Sequence, residues 1–182
     1  MGDVGAGEAG GVEGSGRPVD SPGGSSRPYW RLFLSLAGVV VLADQATKAW
    51  VLAAYQPDTL VPLLGEYIRI ALSHNNGGLF GLFRGQALVF AGFSLGVIAL
   101  IVEYHRRAGR SRLLSTALGL LLGGALGNLV DRIRFGYVND FVDMGIGSWR
   151  WYTYNLADAA ISCSLLLFVL LMIWPDRAGG RR

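Results

Sequence analysis

Gly123-Gly124-Ala125-Leu126-Gly127-Asn128-Leu129-Val130-Asp131-Arg132 closes an apolar run that begins at Leu113. The run 113–130 approaches the roughly 20 residues that a helix needs to cross a bilayer. It ends abruptly in an amide, a carboxylate and a guanidinium. Gly119, Gly123 and Gly127 recur every four residues, a spacing that lets a neighbouring backbone approach closely. This stretch reads as a membrane helix packed tightly against a neighbour and polar at one end.

Three further runs have comparable length: 32–52, 87–104 and 156–174. With 52% hydrophobic and 16% charged residues and a mean hydropathy of +0.40, the chain does not have the composition of a soluble domain. The expected fold class is an all-α membrane protein of four transmembrane helices, with both termini on one side. Basic residues near helix ends stay cytoplasmic. The connection His105-Arg106-Arg107-Ala108-Gly109-Arg110-Ser111-Arg112, the leading Arg17, Arg27 and Arg31, and the trailing Arg177, Arg181 and Arg182 all favour the same face. A multi-pass protein of the plasma membrane with both termini cytoplasmic follows, and connections 53–86 and 131–153 fall outside. The net charge of +3 mostly records these arginines and requires no nucleic-acid partner.

The first 28 residues hold nine Gly, four Ser and three Pro, too little apolar surface to offset the entropy of ordering. The chain therefore divides into a disordered tail at 1–28, a transmembrane domain at 29–176 and a short cytoplasmic tail at 177–182. Val41-Leu42-Ala43 resembles a small-residue cleavage site, but apolar sequence resumes at Ala49, and losing the first run would leave an odd number of crossings. Cys163, the single cysteine, reads as a packing residue of the last helix. Weak alternation around Ile68, Ile70 and Leu72 predicts a small extracytoplasmic β-sheet from the 55–70 connection. Gly77-Gly78-Leu79-Phe80-Gly81 has the composition of a flap.

Polar residues in the spans gather at one depth. Asp44 and Lys48 are spaced i, i+4 with the acid first, which suits an ion pair. Asn128, Asp131 and Arg132 share the outer end of the third helix, and Asn155 and Asp158 share a face at the same level of the fourth. A carboxylate near hydrocarbon costs several kcal/mol unless it is partnered, protonated or hydrated. Asp158, one turn inside an apolar run, and Asp140, in Val138-Asn139-Asp140-Phe141, are therefore the candidate catalytic pair. Two close carboxyl groups titrate together and hold one proton, so one can accept a proton from water while the other donates. Such hydrolysis uses no metal and no cofactor, and no H-E-x-x-H occurs in the chain.

Duller readings stand beside these. Asp44–Lys48 can be a purely structural ion pair, Asp131–Arg132 a headgroup anchor, and Asn128 and Asn155 interhelical glue. Asp143 reads as a solvated loop residue without a role. His74 and His105 are separated by a span, which argues against a shared metal. Trp149, Trp151 and Trp174 suit an interfacial aromatic belt. A proton-coupled carrier would also keep acids in its spans, but near the midplane and often with internal repeats, neither of which is visible here. A structural scaffold gives no reason for several costly polar groups at one depth.

Five blocks in order resemble the bacterial lipoprotein signal peptidases, also called signal peptidase II. They are Asp44-Gln45-Ala46-Thr47-Lys48, Asn75-Asn76-Gly77-Gly78-Leu79-Phe80, the Gly123–Arg132 stretch, Gly136-Tyr137-Val138-Asn139-Asp140-Phe141 and Tyr154-Asn155-Leu156-Ala157-Asp158. The resemblance implies an aspartic endopeptidase that removes the signal peptide from diacylglyceryl-modified prolipoproteins, cutting before the lipidated cysteine. Asp140 and Asp158 fall on the family's catalytic dyad. Asn75, Gly77, Asn128, Arg132, Asn155, Asp44 and Lys48 fall on positions that bind substrate or support the site. The expected partners are prolipoproteins and membrane lipids, and the expected state is a monomer. Gly78-Leu79 and Tyr154 depart from the family pattern, and the amino-terminal tail is longer than the family requires.

Overall fold

The computed structural model describes residues 2, 28–57, 59–76, 87–108 and 111–174. Among them α1 (Trp30–Ala54), α2 (Ala87–Arg107), α3 (Arg112–Phe135) and α4 (Leu156–Ile173) are each long and apolar enough to cross a membrane. They coincide with the four hydropathy runs, with shifted ends. α3 continues beyond Arg132 to Phe135 and stops at Gly136, whose left-handed φ of 79° lets its N–H bond Arg132 O at 3.1 Å. Asn128 and Asp131 thus sit inside a helix, where their side chains meet other helices. His105, Arg106 and Arg107, expected in a connection, form the last turn of α2. His105 is buried there, stacked on Phe33 at 4.0 Å and bonded to Ser115 Oγ at 3.1 Å.

α3 is the centre of the bundle, with 56% of its span buried against 17–28% for the other three helices. Its glycines explain the position. A Cβ on Gly119 would lie 2.8 Å from Phe33 O, and one on Gly123 would lie 2.6 Å from Val40 Cβ, so α1 rests directly on this face. On another side, a Cβ on Gly124 would lie 2.5 Å from Ala157 O of α4. Phe33, Ala37, Ile101, Leu118 and Leu122 fill the core between α1, α2 and α3. The outward faces carry Leu42, Phe93, Leu100 and Met172, exposed in the bare protein and suited to lipid.

The small sheet exists and is larger than the alternation predicts. β1 (Leu60–Leu64), β2 (Ile68–Asn75), β3 (Val138–Ile146) and β4 (Trp149–Arg150) form one antiparallel sheet in chain order. The 131–153 connection supplies its second half. Register places Ser73 opposite Asp140 and Asn75 opposite Val138. Tyr154 then bridges to Val142, its N–H donating to Val142 O at 3.0 Å and its carbonyl accepting from Val142 N at 2.8 Å. The residue just before α4 is therefore stitched to the strand that carries Asp140. Val51, Ile70 and Phe141 pack beneath the sheet.

Asp143 corrects an expectation. It lies on β3 and is only 5% exposed, because register sets it opposite Arg69 and the β3–β4 hairpin brings Arg150 over it. Arg150 donates to both carboxylate oxygens at 3.1 and 2.7 Å, and Arg69 donates to Oδ2 at 2.8 and 2.5 Å. The hydrogen bonds from Arg150, then those from Arg69, hold its pKa below the usual carboxylate value. Residues 3–27 and 175–182, which carry the expected tails, lie outside the described residues, as does the Gly77 loop.

Candidate active site

α4 begins with a reciprocal cap. Asn155 Oδ1 accepts from Asp158 N at 3.0 Å, and Asp158 Oδ2 accepts from Asn155 N at 3.3 Å. The capping box fixes the Asp158 carboxylate at the positive end of the helix dipole. Its other oxygen accepts from Asn128 Nδ2 at 2.8 Å. Asp140 approaches from β3, with Oδ1 accepting from Asn155 Nδ2 at 2.6 Å and Oδ2 from Asn75 Nδ2 at 3.1 Å. The candidate pair thus comes from a strand and a helix, not from two spans. Both carboxylates line one cavity of ≈ 610 Å³, together with Asn75, Met144 and the Trp151–Tyr154 segment. Burial, then the nearby charge of Asp158, pushes the Asp140 pKa up to about 7, against the opposing pull of Asn75, Asn155 and Lys48.

A second layer, buried except for the half-buried Gln45, lies behind this pair. Lys48 Nζ sits 2.8 Å from Asp44 Oδ2 and 3.1 Å from Asp131 Oδ2, and donates to Asn128 Oδ1 at 3.4 Å. Gln45 Nε2 spans the two acids, at 3.1 Å to Asp44 and 3.0 Å to Asp131. Asp44 Oδ1 accepts from Ala157 N at 3.0 Å, in the first turn of α4. Asp131 Oδ2 accepts from Asn139 N at 2.9 Å, next to Asp140. The i, i+4 ion pair read from sequence is present and does more than join one helix to itself.

Asp140, Asp158, Asn75, Asn128, Asn155, Asp44 and Lys48 form one connected hydrogen-bonded set. Arg132 stands beside it, donating to Asn128 O at 3.4 Å, with its guanidinium carbon 6.0 Å from the centre of the Phe90 ring. Gly77 lies outside the described residues. Asp131, for which a headgroup anchor is the duller of the two readings, is completely buried, because α3 runs on past it and α1 supplies its cation. Asn139 and Gln45 were not singled out by sequence. Gln45 was visible inside the first block, but nothing local marks Asn139. Cys163, expected to pack, is exposed on the cavity wall with Ala159 and Ser162, one to two turns along α4 from Asp158.

Residues 36–174 match the family model described as Signal peptidase (SPase) II. A lipoprotein signal peptidase of Moorella thermoacetica is 39% identical over 150 residues, covering 82% of this chain and 97% of its own. One from Syntrophus aciditrophicus is 42% identical over 152 residues, covering 80% and 94%. A solved bacterial membrane enzyme superposes with a TM-score of 0.76 at 23% identity, covering 87% of this chain and 96% of its own, which speaks to the fold. The family model over residues 36–174, together with relatives 39% and 42% identical over most of the chain, places this chain in the signal peptidase II family.

Proposed function

We propose that this protein is an aspartic endopeptidase that removes the signal peptide from diacylglyceryl-modified prolipoproteins, cleaving before the lipidated cysteine. The observation that carries the reading is the pairing of Asp140 and Asp158 on one cavity, with Asp140 pushed up to about 7 by burial and its neighbour's charge. Such a pair holds one proton near neutral pH. The ionised carboxylate takes a proton from water as the water oxygen attacks the scissile carbonyl carbon. The protonated partner donates to the carbonyl oxygen, and the pair later returns a proton to the leaving amine. Asn75, Asn128 and Asn155 donate to the two carboxylates and hold their orientation through the cycle. Arg132 adds positive charge near both aspartates and lowers the cost of their ionised form, a supporting role.

The arginine distribution supports a plasma-membrane topology with both termini cytoplasmic and the cavity at the extracytoplasmic face. The exposed Trp149, Trp151 and Tyr152 suit that interface, where lipid and peptide of the substrate arrive together. A monomer supplies every residue named, in one transmembrane domain at 29–176 flanked by tails.

The test uses purified protein in detergent with lipidated and non-lipidated forms of one prolipoprotein. Cleavage of the lipidated form alone is expected, and it falls by at least ~10³-fold in Asp140→Asn and Asp158→Asn, which remain inserted. Near-normal cleavage by either variant removes that residue from the pair. Equal turnover of both substrate forms refutes the lipid requirement.

A further inference from the structure

Two buried acids outside the cavity grip the two structural arms that carry the candidate dyad. Asp44 accepts from Ala157 N, the residue before Asp158, at 3.0 Å. Asp131 accepts from Asn139 N, the residue before Asp140, at 2.9 Å, and from Asn139 Nδ2 at 3.3 Å. Lys48 lies between the two grips and pairs with both, while Gln45 closes the other side. Asp44, Asp131 and Asn139 are at most 1% exposed and Lys48 is 2% exposed. Burying two carboxylates for one ammonium is expensive for stability alone, since apolar residues would fill the space at less cost. Neither acid lines the cavity.

We propose that Asp131, acting through the backbone N–H of Asn139, is a positioning residue for Asp140, and that Lys48 couples it to the matching grip of Asp44 on the start of α4. The four-residue set sets the separation between strand and helix, and so the separation of Asp140 from Asp158. Asn139 passes the constraint on a second way, because its carbonyl accepts from Asn155 Nδ2 at 3.4 Å, the same amide nitrogen that donates to Asp140. The inference rests on the dyad proposed above.

Cleavage of the lipidated prolipoprotein by Asp131→Ala and Asp131→Asn, measured across pH beside Asp140→Asn, tests it. Asp131→Ala is expected to lose about 10²-fold in kcat with KM changed less than about threefold, the signature of displaced reacting groups. Asp131→Asn keeps an oxygen for the Asn139 N–H and is expected to recover at least about tenfold of that loss. Its alkaline limb moves to lower pH by about half a unit, because Lys48 is left with one carboxylate and favours ionisation of Asp140. Should Asp131→Ala not fold, the profile of Asp131→Asn decides alone, and an unmoved profile with parental kcat overturns the proposal. A parental kcat in folded Asp131→Ala, with Asp140→Asn inactive, overturns the positioning role and leaves the dyad standing. Normal cleavage by Asp140→Asn overturns the dyad, and the positioning role with it.

Discussion

Asn155 Nδ2 donates to Asp140 Oδ1 over 2.6 Å, so the residue that caps α4 is also the one that holds the strand-borne aspartate. One side chain does both because its oxygen accepts from the first turn of α4 while its nitrogen points towards β3 and Asp140. The two roles separate by substitution. Asn155→Ala removes cap and donor together, and is expected to cost about 1 kcal/mol of stability and about 10²-fold in kcat. Asn155→Ser keeps an oxygen for the Asp158 N–H and removes the amide that donates to Asp140, so stability recovers in part and activity does not. Thermal unfolding and cleavage rate, measured on both variants, check the separation.

The raised pKa of Asp140 gives a pH dependence of definite sign. In the unfolded chain this group ionises near 3.8, and in the folded protein at about 7. Below 3.8 both states are protonated and the group contributes nothing. Between 3.8 and about 7 the unfolded state releases its proton first, so stability falls as pH rises through this window. Melting temperature against pH is expected to slope down across that window in the parent and to flatten in Asp140→Asn. Cleavage is expected to decline above about pH 7 as the shared proton is lost.

Asp143 behaves in the opposite sense. Its folded pKa is depressed below 3.8 by Arg150 and Arg69, so its contribution is complete above that value and disappears as pH falls through the folded pKa. Asp143→Asn leaves two partly covered guanidiniums with a weaker acceptor. A loss of about 1–3 kcal/mol in stability is expected near neutral pH, with kcat reduced far less than in Asp140→Asn. Unfolding and cleavage assays on the variant separate this scaffold role from chemistry.

The close approach at α3 predicts a sharp contrast among glycines. A Cβ on Gly124 would meet Ala157 O at 2.5 Å, and one on Gly127 would meet Asp44 Oδ2 at 2.7 Å. Gly124→Ala and Gly127→Ala are each expected to cost about 1–3 kcal/mol and to lower cleavage by pushing α4 or Asp44 aside. Gly92→Ala and Gly96→Ala, on the open face of α2 with nothing within 4 Å, are expected to leave both unchanged. Parental stability in Gly124→Ala would show that α4 yields at no cost.

The four helices were legible in the sequence because a bilayer demands about 20 apolar residues per crossing, a requirement carried by local composition alone. The glycine repeat of α3 and the Asp44–Lys48 spacing were equally legible, since both express helical periodicity within one element. Asp140 and Asp158 stood out because an acid beside apolar sequence is costly wherever the chain goes. The tertiary structure alone decided what those acids face. Strand register put Asp143 between two arginines when its neighbours in sequence suggested solvent. The extension of α3 by less than two turns buried Asp131 against a lysine 83 positions away. Asn139 acquired its partners only when β3 folded back beside α3 and α4. Hydropathy and periodicity are properties of neighbours along the chain, whereas hydrogen-bond partners depend on which elements meet and in what register, and those are fixed only when the whole bundle packs.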